Sequence, residues 1–151
     1  MEYFTTRKLF LFPPYSIDVK EREKLDKFLK FLDDSKVATI FPKRDIDMSL
    51  KGGRPSYSYY DMLATVLYSF AFTSGTLRTI ESSCKYDLRF MYLMNYDTPN
   101  YSKFGQFINE VIVPNRKEIF KLITNQIIKE CGITIDDVFI DGSKFEADAN
   151  K

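Results

Sequence analysis

The feature that most limits how this chain can fold is a succession of apolar rows at helical spacing, each closed off by a glycine, a proline or a capping residue. Leu25, Phe28, Leu29 and Leu32 fall at the i, i+3, i+4, i+7 positions of one helix face, predicting a first helix from about Asp18 to Leu32 with Lys and Glu opposite. Ser58 followed by Asp61 has the form of a capping box, so a second helix should start there. Met62, Leu63, Val66, Leu67 and Phe70 give it an apolar face broad enough for the centre of a bundle, and Ser74-Gly75 breaks it. Thr76 can cap a third helix with Leu77, Ile80 and Cys84 inward. A short fourth is expected from Asp87 to Met94, apolar at Leu88, Met91 and Tyr92. The fifth, Ser102 to Val113, rests on Phe104, Phe107, Ile108 and Val111; Pro114 ends it and suits the first turn of a sixth. That helix carries Ile119, Ile123, Ile127 and Cys131 in a four-residue row and stops at Gly132, a left-handed cap.

This pattern predicts a mainly α fold, a helical bundle containing a helix-turn-helix-like pair (Ser58 to Thr73, Thr76 to Lys85). At 151 residues the chain has room for one domain with a real core plus a stub. Hydrophobic residues at 44% and aromatics at 16% argue for a folded core over intrinsic disorder. The net charge is only +1, so any nucleic-acid contact must come from a local patch. There is no histidine, which removes Ser-His-Asp and Cys-His catalysis and leaves carboxylates with an added metal. Cys84 and Cys131 lack a metal-ligand spacing and read as reduced core residues. No secretory signal stands at the start, and the longest apolar helix is well short of the ~20 residues that cross a bilayer. A cytoplasmic location without a membrane partner is expected.

Beyond Gly132 the pattern changes. Val138-Phe139-Ile140 is a short apolar run ending in Asp141, in a stretch where Asp136, Asp137, Asp141, Glu146 and Asp148 outnumber Lys144 and Lys151. Asp141-Gly142 is by itself the commonest two-residue hairpin turn, and local sequence favours that reading over a functional carboxylate. A lone two-stranded ribbon is marginal in water, so residues 136–151 are expected to fray or to dock on the helices.

Asp141-Gly142-Ser143-Lys144 after its apolar run resembles the segment carrying the first catalytic aspartate of the DDE transposases of bacterial insertion sequences. Gly52-Gly53-Arg54-Pro55-Ser56-Tyr57, with the apolar stretch Met62 to Tyr68, is similar to the start of their InsH-like N-terminal domain. Leu77 to Cys84 and Phe90 to Leu93 are similar to that domain's next two helices. The likeness runs from about Phe12 to Lys151. Where the family commonly has a His, this chain reads Pro99 to Phe104, and Gly105 to Asn109 replaces an Arg-rich stretch.

The resemblance implies a helical domain over residues 1–135 that binds transposon terminal inverted repeats, followed at 136–151 by the first strand or hairpin of a truncated RNase H-like catalytic domain. It implies Asp141 as the first of three acids that hold Mg²⁺ for DNA cleavage and strand transfer, and a homo-oligomer in the full-length protein. Glu146 and Asp148 do not stand in for the other two acids. The 151-residue chain is therefore expected to be inactive and to hold no metal alone.

Along the third helix, burial of Leu77, Ile80 and Cys84 turns Arg78, Ser82 and Lys85 outward, with Thr79 and Ser83 beside them. Hydroxyls and cations are what phosphates and base edges take, although cations on an outer face are also ordinary solvated surface. Arg54 and Lys103, with Arg116 and Lys117, are further candidates at helix starts, where backbone N–H groups also face outward. Tyr57, Tyr59, Tyr60 and Tyr68 could stack on unpaired bases, but a cluster beside an apolar helix reads first as core edge. Two other functions fit the same helices: a stand-alone DNA-binding regulator that needs no Asp141, or a protein-interaction domain with an aromatic surface.

Overall fold

The computed structural model describes residues 17–41, 57–73 and 75–132. Among these the chain is helical and contains no strand. The residues before Ile17, the segment 42–56 with Arg54, and everything from 133 onward with Asp141 lie outside the described residues, so the expected C-terminal strand does too.

Helix α1 spans Val19–Asp34 and buries Leu25, Leu29 and Leu32, the row expected from its spacing. A 3₁₀ turn at Val37–Ile40 follows, entered through Lys36 in a left-handed conformation, and it inserts Val37 and then Phe41 into the core. Helix α2, Tyr59–Phe72, is capped by the Ser58 hydroxyl, which accepts from the Asp61 N–H at 3.3 Å. Its buried residues, Asp61, Met62, Leu63, Ala64, Thr65, Val66, Tyr68 and Ser69, occupy more than one face, as expected of a helix at the centre of a bundle. Phe70, expected on the buried face, is 64% exposed. Covered on several sides, α2 has no single stripe to place each apolar residue, and its last turn leaves Phe70 and Phe72 in solvent.

Helix α3 spans Leu77–Tyr86, and α4 follows at once as Leu88–Leu93. Phe90 and Leu93 are the buried residues of α4; Leu88, Met91 and Tyr92, read from the sequence as its apolar set, are only half-buried. The short helix packs on α1, α2 and α3, so it is held by partners on several sides. Asn95 and Tyr96, both left-handed, then turn the chain toward α5.

Helix α5, Tyr101–Phe107, is capped by Asn100, whose side-chain oxygen accepts from the Lys103 N–H at 2.9 Å. The expected break at Pro114 is absent. A π turn at Ile108–Ile112 joins α5 to α6, Val113–Cys131, through residues that keep right-handed helical angles. Pro114 has no N–H for the Glu110 carbonyl and its ring crowds that oxygen; the wider π turn just before it relieves the conflict without leaving the helix. Gly132 closes α6 at φ +60, the left-handed cap expected.

Ile119 of α6 is buried as predicted, Ile127 is 42% exposed, and Cys131 is exposed instead of in the core. Together Leu25, Leu29, Leu32, Met62, Leu63, Ile80, Cys84, Phe90, Leu93, Phe104, Phe107 and Ile119 form one core. No helix among the described residues is long and apolar enough to cross a membrane.

Candidate nucleic-acid interface

The orientation of α3 follows from its two ends and its core side. Thr76 starts it, its hydroxyl accepting from the Thr79 N–H at 3.2 Å. Ile80 and Cys84 are fully buried, and Leu77, half-buried, sits against α5 where Gly105 has no side chain: a Cβ there would come within 3.4 Å of Leu77 Cδ1. Arg78, Ser82 and Lys85 are therefore thrown outward, and all are exposed. The chain passes from α2 to α3 through residues 73–76, where Gly75 takes φ +67. A side chain is disfavoured there twice over, because a Cβ would also meet Phe70 Cδ1 at 2.8 Å.

Beside this face lies a shallow depression of about 350 Å³, lined by Arg78, Glu81, Ser82, Lys85, Tyr86 and Tyr101. Glu81 ties its two helices together. One carboxylate oxygen accepts from Lys85 Nζ at 2.7 Å, and the other accepts from the Tyr101 N–H at 2.9 Å. The Lys85 ammonium, then the Tyr101 N–H, hold the Glu81 carboxyl below its usual pKa, while Glu81 in turn raises that of Lys85. Both are charged at neutral pH. The Arg78 guanidinium lies over the Tyr101 ring, 5.7 Å from its centroid.

The structure thus brings Arg78, Ser82 and Lys85 into one site and places Lys103 in another. Lys103 is exposed, donates to Gln106 Oε1 at 3.1 Å, and lines a separate cavity of about 530 Å³ with Tyr57, Tyr59, Asn100 and Phe107. Arg116 and Lys117 are exposed, with Arg116 donating to the Val113 carbonyl at 2.9 Å. Of the sequence-stretch tyrosines, Tyr68 is buried, Tyr60 donates to the Leu29 carbonyl, and Tyr59 packs on Phe107 with centroids 5.4 Å apart, so they are core edge.

The residues that sequence reasoning missed are Glu81, Tyr86 and Tyr101. A signal existed for one: Arg78, Ser82 and Tyr86 run at i, i+4, i+8 along the outer face. Nothing local in the sequence brings Tyr101 to Glu81, since they meet only through packing of α3 on α5.

The family model described as a transposase domain (DUF772) matches residues 15–110. The chain belongs to this transposase family. No curated protein and no solved structure matches it. The matched span of this transposase domain contains α1 to α5 together with Arg54, Arg78, Ser82, Lys85 and Lys103, and it stops before Asp141. The function is accordingly transposase-related.

Among the described residues, the outer face of α3 gathers cations, a hydroxyl and two aromatic rings around one depression. Among the described residues no three His, Cys, Asp or Glu side chains are grouped as metal ligands would be, and Asp141 lies outside those residues. Burial, then the Glu81 carboxylate, pushes the Cys84 thiol up to about 12, which leaves it an inert core side chain.

Proposed function

We propose that this transposase domain binds the ends of its transposable element, with α3 as the DNA-facing helix. The observation that carries the reading is the row Arg78, Ser82 and Lys85, all exposed on the second member of a short-linked helix pair within the matched family span. Lysine and arginine side chains neutralise phosphates, and a short hydroxyl between them can reach a phosphate oxygen or a base edge. Arg54 and Lys103 are secondary phosphate contacts in this reading, and residues 1–135 form the end-binding unit.

In the same reading Asp141 supplies the first carboxylate for Mg²⁺ in a complete DDE enzyme with an RNase H-like catalytic domain beginning at residues 136–151. That enzyme works as a homo-oligomer on paired ends. Asp141 would be one of the carboxylates holding the metal, which would supply Lewis-acid activation for phosphodiester cleavage. The described helices take no part in that chemistry; they position DNA.

The reading is tested by titrating the purified chain against duplex DNA bearing the element's terminal inverted repeat and against a shuffled duplex. Tighter binding to the repeat is expected, weakened in Arg78→Ala and Lys85→Ala. Equal affinity for both duplexes would remove end recognition from the account.

A further inference from the structure

We infer that the depression between α3 and α5 is a nucleobase pocket, taking an unpaired base at a DNA end against Tyr86 and Tyr101. The inference rests on α3 facing DNA, as proposed above, and adds which chemical group is recognised there. Phosphate binding alone would need only the cations. This depression also holds two aromatic rings in solvent: Tyr86 is 82% exposed and Tyr101 is 48% exposed. Such rings, apolar on their faces and polar at the tip, suit the face of a base.

Tyr101 is fixed in advance. Glu81 accepts its N–H at 2.9 Å, which anchors the start of α5 to α3, and the Arg78 guanidinium lies over its ring at 5.7 Å. A planar cation on an aromatic ring extends the stacking surface and adds charge for the adjoining phosphate. Tyr86 stands one further turn along the row from Arg78 and Ser82, on the same rim. The Ser82 hydroxyl, able to donate or accept, lines the same depression and is the neutral polar group it offers to a base edge. At about 350 Å³ the depression is near the lower end of small-molecule sites, a size for one base and not for a duplex groove. Bases inside a duplex hide their faces in the stack, so an unpaired or extruded base is the form that fits.

The test compares binding of the full chain to a blunt duplex and to the same duplex with a single unpaired nucleotide at one end. The unpaired form should bind more tightly by roughly fivefold or more. Tyr86→Ala and Tyr101→Ala should each erase that preference, and Tyr86→Phe and Tyr101→Phe should keep it. Arg78→Ala should weaken both forms. Salt-dependent binding to both duplexes without preference, or a preference that survives both alanine variants, would overturn the pocket and leave the DNA-facing assignment of α3 standing. Failure to bind either form would overturn both.

Discussion

Asp87 caps α4 and pairs with a cation at the junction with α3. Its Oδ1 accepts from the Arg89 backbone N–H at 2.9 Å and from Nε at 3.1 Å, while Oδ2 accepts from Nη2 at 2.7 Å. Partial burial raises the Asp87 pKa, but the Arg89 guanidinium and backbone N–H outweigh it and leave it below the ordinary 3.8. A carboxyl with a lowered folded-state pKa contributes stability that is present above 3.8 and lost as pH falls through the lowered value. Asp87→Ala should therefore lower unfolding free energy at neutral pH by about 1 kcal/mol, through loss of the cap. Asp87→Asn, which can still cap, should lose less and should show a shallower decline in acid. Urea unfolding followed by helical signal at both pH values checks this; equal acid sensitivity in Asp87→Asn and the parent would contradict it. At the same scale, a thiol reagent should label Cys131 in the native protein and spare Cys84, whose thiol is buried and pushed up to about 12. Rapid native labelling of Cys84 would show that the core is not packed as described.

At the scale of elements, the connection between α2 and α3 depends on Gly75. Its φ of +67 is costly for any residue with a Cβ, and the nearest atom to a Cβ belongs to Phe70, whose exposed ring can swing aside. Gly75→Ala should therefore be limited mainly by the backbone term, a loss of about 1–2 kcal/mol seen in denaturant unfolding. A neutral result would mean that the turn between α2 and α3 is not held as described. The element boundaries were largely legible because their signals are local: the Ser58 and Thr76 caps, the Leu25, Leu29, Leu32 row and the Gly132 stop all act within a turn or two. The misjudged positions depend on distant partners. A proline reads as a break unless the preceding turn can widen, as Ile108–Ile112 does, and an evenly apolar helix such as α2 does not reveal that Phe70 lies outside.

For the molecule as a whole, the family match makes this a transposase domain, and its described part is a helical bundle with one core. Half of the candidate site was readable from helical periodicity: burying Ile80 and Cys84 obliges Arg78, Ser82 and Lys85 to face out. The other half, Glu81 bridging to Tyr101, needs α3 and α5 to meet and has no counterpart in local pattern. With a whole-chain charge of +1, the DNA binding proposed for this domain has to draw on such a local cluster. Each phosphate contact releases condensed counterions, so the dependence of affinity on salt counts the cations engaged. The most direct test of the central claim is the slope of log affinity against log salt for terminal-repeat duplex, measured for the parent chain and for Arg78→Ala/Lys85→Ala. The account predicts a slope shallower by about one to two units in the double variant; parallel lines of equal affinity would contradict it.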